Sequence, residues 1–330
     1  ALVVLRRLCG TFQQLPGSCL IGGELMIDGG IPFAKRAYAD LRKGIWRGEN
    51  VAIKVLRIST DESRAEITKR FCKEMVLWKQ LHHKNLLPFY GACMGNQFGM
   101  VSPWLESGNI IGFTRKNSEA NRLNLLIDVA NGLEYLHHSG VIHGNLRGSN
   151  ILISNPPSPH ALLCDYGLTS IVFDPFSLTR ESINWTAPEL LTVENDRRGP
   201  SLTGDIYAFA MVLTGSPPFA HRQKPEVAVD VVLEGKRPPR PKNSESLGIT
   251  NEIWNLLEMC WAKNVASRPK VGQVVAYLNR VAKNWTADAT AFLLASSAGF
   301  QEVMSMEPEK VQKIADDIDQ VRKHVQDQNN

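Results

Sequence analysis

Five places along this chain carry side chains that can hold charge or move a proton. The run His143-Gly144-Asn145-Leu146-Arg147-Gly148-Ser149-Asn150 gathers one imidazole and two amides. Asp165 opens Asp165-Tyr166-Gly167, Lys54 closes Val51-Ala52-Ile53-Lys54, Glu74 follows downstream, and Glu189 ends Ala187-Pro188-Glu189. Such a set can arrange charges and hydrogen-bond acceptors around a polar ligand. It has no base at Asn145: an amide oxygen accepts a hydrogen bond but carries no charge and takes up no proton at neutral pH.

Local pattern says which elements carry these groups. Leu41, Lys43 and Ile45 alternate with their neighbours, Arg47-Gly48-Glu49-Asn50 reads as a turn, and Val51, Ile53 and Val55 continue the alternation, which predicts a hairpin within Ile31 to Leu56 and puts Lys54 on a strand. Phe71, Met75 and Trp78 recur at helical spacing and predict a helix over 64–81 that carries Glu74. Leu123, Leu126, Ile127, Ala130, Leu133 and Leu136 predict a long amphipathic helix ahead of His143, and from about residue 109 the pattern is mainly helical. Residues 1–23 read as a short helix followed by a linker containing Leu15-Pro16-Gly17-Ser18.

In their order and separation these runs resemble the signatures of protein kinases, in the tyrosine-kinase-like Ser/Thr group, over roughly residues 25 to 283. The resemblance implies an α+β, two-lobed protein-kinase-like fold. A small antiparallel β-rich N-lobe would span about 25–102, a hinge 103–108 and a larger helical C-lobe 109–283, with an N-terminal extension at 1–24 and a C-terminal helical tail at 284–330. It implies that Lys54 contacts the α and β phosphates of ATP and pairs with Glu74, and that Asn150 and Asp165 hold Mg²⁺. Ala52, the gatekeeper Ser102, the Pro103 carbonyl and the Leu105 N–H would line the adenine site. Asp205 would hydrogen-bond the backbone of the catalytic loop, and Arg268 would pair with Glu189.

The departures from the family pattern fall on chemistry. Asn145 stands where the family has the Asp that accepts the proton of the attacking hydroxyl. Gly144 stands where many kinases have the Arg that clamps a phosphorylated activation loop, so activation through that clamp is not expected, although Thr169, Ser170, Ser177, Thr179 and Ser182 lie in the loop. In the phosphate-covering pattern G-x-G-x-x-G-x-V the glycine positions fall on Ala34, Arg36 and Ala39, with Leu41 in the Val position. Arg36 either clashes with the phosphates or contacts them as a cation. The apolar run from Ile206 to Leu213 ends at Pro217-Pro218, so the helix opened by Asp205 is expected to be about one turn short, through a missed splice segment or through degeneration.

Composition bounds the rest. The 330 residues are 43% hydrophobic and 21% charged, an ordinary globular balance. A net charge of +4 with no dense Lys/Arg run argues against a nucleic-acid partner. The six cysteines form no C-x-x-C pair, which suits free thiols in a reducing compartment. No stretch reaches the roughly 18 apolar residues of a membrane helix, and Ala1 to Leu5 is too short for a signal segment. Without an initiator Met the sequence reads as a fragment, a processed product or an incomplete gene model, and a cytoplasmic location is expected.

Function follows from what survives and what is lost. The sequence predicts a signalling pseudokinase that binds ATP and Mg²⁺, more weakly than its relatives, and acts on an unidentified protein partner as scaffold or allosteric regulator. One alternative is a slow Ser/Thr kinase in which Asn145 merely orients the hydroxyl, and another is an interaction module that binds no nucleotide. Val311, Ile314, Ile318, Val321 and Val325 form a two-heptad seam within 306–326, expected to dock on its own domain and leave a monomer, with a dimer as the alternative.

Overall fold

The computed structural model describes residues 2–295 except 30–31, 36–38, 58–62, 96, 118–119, 169–170, 172–182, 192–198, 213–229, 233, 242–243 and 245–248. The N-terminal part begins with the expected helix, α1 (Leu2–Phe12), and the stretch expected as a linker holds a short 3₁₀ turn at Gly17–Cys19 that buries Cys19. Strands β1 (Leu25–Ile27), β2 (Ala34–Lys35), β3 (Ala39–Trp46), β4 (Glu49–Leu56), β5 (Gly91–Met94) and β6 (Phe98–Pro103) form one antiparallel sheet. Its order is β1-β3-β4-β6-β5, with β2 also paired to β3.

The expected hairpin is β3 and β4, and its turn is tighter than the sequence suggested. Arg47 and Gly48 both take positive φ, 52° and 82°, the two-residue connection whose twist matches the strands. Glu49 and Asn50, read as turn residues, are paired with Trp46 and Ile45. Along β4 the alternation holds, with Val51, Ile53 and Val55 buried. Along β3 it does not: Ala39 and Gly44 are the buried positions, Leu41 is half-buried and Ile45 is exposed. Close approach explains this, since a Cβ on Gly44 would lie 2.5 Å from the Met26 carbonyl oxygen and 2.6 Å from Ile53 Cδ1.

Helix α2 (Arg64–Trp78) starts on an N-cap, with Ser63 Oγ accepting from the Glu66 N–H at 3.3 Å, and ends three residues short of the expected 81. Its buried face carries Phe71, Cys72 and Met75, all at 0% exposure, and the Phe71 ring packs 4.8 Å from Phe98 on β6. Each large aliphatic or aromatic side chain so buried contributes about 1.5–3 kcal/mol, so α2 is held to the sheet by packing along its length.

The C-terminal part is mainly helical: α3 (Ile110–Lys116), α4 (Arg122–His138), α5 (Leu202–Val212), α6 (Asn251–Cys260) and α7 (Val271–Ala295), with the small ladder β7 (Ile151–Ile153) and β8 (Ala161–Leu163). The two lobes of a kinase fold are thereby present. Helix α4 covers the expected 123–136 and buries Leu126, Val129, Ala130, Leu133 and Leu136. It stops at Gly140 (φ 70°), where the Val141 N–H reaches the Leu136 carbonyl and the Gly140 N–H the His137 carbonyl. This left-handed stop fixes where the chain leaves the helix and enters the His143–Asn150 loop.

Helix α5 begins at Leu202, so Asp205 lies in its first turn rather than at its start. The region past Val212, where a shortened helix was expected, and the 306–326 seam both lie outside the described residues. By its internal contacts the chain divides into residues 1–278 and 279–330. No helix among the described residues is long and apolar enough to cross a membrane.

Candidate nucleotide site

Strand β4 carries Lys54 between Leu41 of β3 and Met100 of β6. From there its Nζ lies 2.6 Å from Asp165 Oδ2, and both side chains are only 13% exposed. Asp165 takes a left-handed φ of 65°, followed by Gly167 at 68°. Asp tolerates that conformation better than most residues and Gly adopts it freely. The turn buries Tyr166, whose ring lies 5.0 Å from Trp78 and 6.4 Å from His143. Burial pushes the Tyr166 phenol far above its ordinary pKa. Trp78 thus ties α2 to the triplet, a contact the sequence reading did not foresee.

Glu74 has a partner the sequence gave no reason to expect. Its Oε1 accepts from Arg6 Nη2 at 2.8 Å, and Arg6 Nε donates to the Lys73 carbonyl at 3.2 Å. Lys54, for which a pairing with Glu74 was expected, lies against Asp165. Glu74 itself is 7% exposed and lies beside the Asp165-Tyr166-Gly167 turn: a Cβ on Gly167 would sit 3.4 Å from Glu74 Oε2.

The His143–Asn150 loop is held by one carboxylate. Asp205 Oδ2 accepts from the His143 N–H at 2.8 Å and Oδ1 from the Gly144 N–H at 2.9 Å, as expected, and His137 Nε2 adds a third contact at 2.9 Å. His143 is fully buried, and desolvation lowers its pKa despite the nearby charge of Asp205. Its Nδ1 accepts from the Asn145 N–H at 3.4 Å. Asn150, also at 0% exposure, donates through its amide nitrogen to the Asn145 carbonyl at 2.9 Å. Asn145 is therefore fixed on a loop whose backbone is clamped on both sides.

The expected hinge follows directly from β6. Ser102 pairs in register with Ala52, Pro103 with Val51, and the Trp104 N–H donates to the Asn50 carbonyl at 3.1 Å. Below it, the Glu106 N–H donates to Asn155 Oδ1 and Ser107 Oγ to the Ser154 carbonyl, tying the hinge to the C-lobe. Ser102, Pro103 and Leu105 are all partly exposed. In the segment expected to cover the phosphates Ala34 pairs with Leu41, and Ala39, at 1% exposure, pairs with Leu56. Arg36 lies outside the described residues. Phe33, just before Ala34, packs edge-on at 4.9 Å against Trp104, a pair that alternation and motif matching do not signal.

A family model for protein tyrosine and serine/threonine kinases matches residues 32–278. The chain belongs to that family. The serine/threonine-protein kinase STY17 of Arabidopsis thaliana is 28% identical over 258 residues, 74% of this chain and 43% of that protein. The serine/threonine/tyrosine-protein kinase HT1 of the same plant is 28% identical over 269 residues, 76% of this chain and 65% of its own. The human serine/threonine-protein kinase TNNI3K is 29% identical over 258 residues, 73% of this chain and 30% of its own. The chain thus spans less than half the length of STY17 and about two thirds of HT1.

Kinases of this family work in general with ATP and Mg²⁺. Asp165 offers carboxylate oxygens, and Asn150, whose nitrogen donates to the Asn145 carbonyl, has an amide oxygen that accepts from the Ser149 hydroxyl at 3.5 Å and retains a second lone pair. Mg²⁺ prefers such hard oxygens and takes few from protein, completing its shell with water and phosphate. The donor set fits the ion. The ion's contribution when bound is to neutralise charge on the phosphates.

Proposed function

We propose that residues 25–283 form an ATP- and Mg²⁺-binding signalling domain of the kinase family in which phosphate transfer is strongly impaired. In this reading Lys54 meets the phosphates, Asn150 and Asp165 hold the metal, and Ala52, Ser102, Pro103 and Leu105 receive the adenine. Nucleotide binding is weakened because Ala34, Arg36 and Ala39 replace the glycines of the covering segment. The domain acts in the cytoplasm through a protein partner, as scaffold or allosteric regulator.

One observation carries the reading. Asp205 holds the backbone of the loop at His143 and Gly144, and Asn145, next along, brings an uncharged amide to the base position. The loop is supported as for catalysis while its proton acceptor is missing.

A slow Ser/Thr kinase is the second reading, favoured by the survival of Lys54, Asp165 and Asn150 in one cleft. In it Asn145 orients the substrate hydroxyl without taking its proton. The names of the relatives above, two serine/threonine kinases and one serine/threonine/tyrosine kinase, support that direction.

Nucleotide binding is tested by thermal shift with ATP, with and without Mg²⁺. At 100 times its dissociation constant ATP should stabilise the fold by about 2.7 kcal/mol, and Lys54→Met should remove most of that gain. No shift at saturating ATP and Mg²⁺ would leave the chain as an interaction module without nucleotide.

A further inference from the structure

We propose that the cleft between α3, α4 and the end of α5 is a second ligand site, which takes a small amphiphilic carboxylate whose anionic end pairs with Arg122. No residue lining it belongs to the nucleotide site, and the inference stands apart from the nucleotide reading. The cleft holds about 360 Å³ of space, part of it open to solvent, near the lower end of the range of about 300–1,000 Å³ for small-molecule sites. Its walls are apolar: Ile111 of α3, Leu125 and Val129 of α4, and Val212 of α5. Space of that size suits one short chain or ring rather than a long acyl tail. Arg122 is the one charged residue among the described residues that line it.

Arg122 breaks the pattern of its own helix. Arg122, Leu125, Leu126 and Val129 follow at i, i+3, i+4 and i+7, the spacing of one helix face, and the last three are buried and apolar. A guanidinium therefore stands where the core-facing stripe would carry an aliphatic side chain. It also stands in the first turn of α4, the positive end of the helix dipole, where a cation is disfavoured and an anion favoured. Its Nε is buried and meets no hydrogen-bond partner among the described residues, and Nη2 makes only a long 3.5 Å contact with the Thr114 carbonyl. Burial pulls its pKa below the ordinary value, yet a guanidinium keeps its proton. A partly buried cation without a counterion costs free energy, which a carboxylate offsets through two parallel hydrogen bonds. An apolar body on the same molecule covers the walls. A phosphate dianion fits less well, since its second charge would meet only apolar side chains.

The cleft also adjoins the loop that carries Asn145. Ile111 packs on Gly148 so closely that a Cβ there would lie 2.6 Å from Ile111 Cδ1. Val212 ends α5, the helix whose Asp205 holds the His143 and Gly144 N–H groups. A ligand that fills the cleft therefore steadies a wall on which the His143–Asn150 loop rests.

Calorimetric titration of the full chain with octanoate tests the site, with octan-1-ol and octylamine as matched chains that lack the anion. Wild type should bind octanoate saturably and about tenfold or more tightly than either control, the scale of a charge-assisted hydrogen bond. Arg122→Leu should lose that advantage while melting at or above the wild-type temperature, because it completes the apolar stripe of α4. Arg122→Gln, polar but uncharged, should lose it too, so a leucine variant that fails to fold leaves the test intact. With octanoate bound, amide exchange should slow in α3 and at residues 148–150 but not in α6. The site is overturned by no saturable binding to wild type, by octan-1-ol binding as tightly as octanoate, or by unchanged octanoate binding in Arg122→Gln. Protection confined to other elements would seat the octanoate elsewhere and overturn it equally.

Discussion

Arg268 grips Glu189 with both arms of its guanidinium, Nη1 to Oε1 at 2.6 Å and Nη2 to Oε2 at 2.8 Å. The same side chain, fully buried, donates to the Ala262 and Thr203 carbonyls and lies 5.1 Å over the Tyr207 ring. It therefore joins the Ala187-Pro188-Glu189 segment to α5 and to the stretch after α6. Breaking a buried pair from one side leaves the other charge uncompensated, at about 3–5 kcal/mol. Arg268→Ala should lose that much in urea unfolding, and Arg268→Lys should recover only part, because an ammonium cannot reproduce the two-pronged geometry.

Asp205 supports the His143–Asn150 loop in the same one-to-many fashion. Asp205→Ala strands the N–H groups of His143 and Gly144, each left unsatisfied at about 1–3 kcal/mol. Stability should fall by about 2–6 kcal/mol, and amide exchange at residues 143–145 should accelerate more than at α6. Asp205→Asn keeps one acceptor and should fall between wild type and the alanine variant.

The buried imidazole of His143 makes the fold acid-sensitive. Burial lowers its pKa below the ordinary 6.5, outweighing the attraction of Asp205 and Asp165. Below pH 6.5 the unfolded chain takes up a proton that the folded ring refuses, so stability present above that pH is lost as the pH falls through the window beneath it. Urea unfolding at pH 7.5 and 5.5 should show the loss in wild type and a smaller one in His143→Asn.

What could be read from the sequence was what local pattern encodes. The strand under Lys54, the helix under Glu74 and the long helix before His143 were legible because two- and 3.6-residue periods name a buried face, and Val51, Ile53, Phe71, Met75 and Leu133 are indeed buried. Asp205 on the loop backbone and Arg268 on Glu189 followed from motif order. Arg6 on Glu74 did not, because a side-chain pairing across 68 positions leaves no local trace. The buried face of β3 was misread for a related reason: contact with Met26 and Ile53 requires a glycine at residue 44, and no alternation predicts that.

The central claim is that this kinase-family cleft lacks a working base at Asn145, and the rate of γ-phosphoryl transfer from ATP to a protein hydroxyl tests it most directly. A positioned base is worth about 10² to 10⁴ in rate. Wild type should therefore turn over far below the roughly 1 to 100 per second of kinases, and Asn145→Asp should raise transfer by about 10²-fold or more. Wild-type turnover near one per second, unchanged in Asn145→Ala, would contradict the account and make the chain an active kinase.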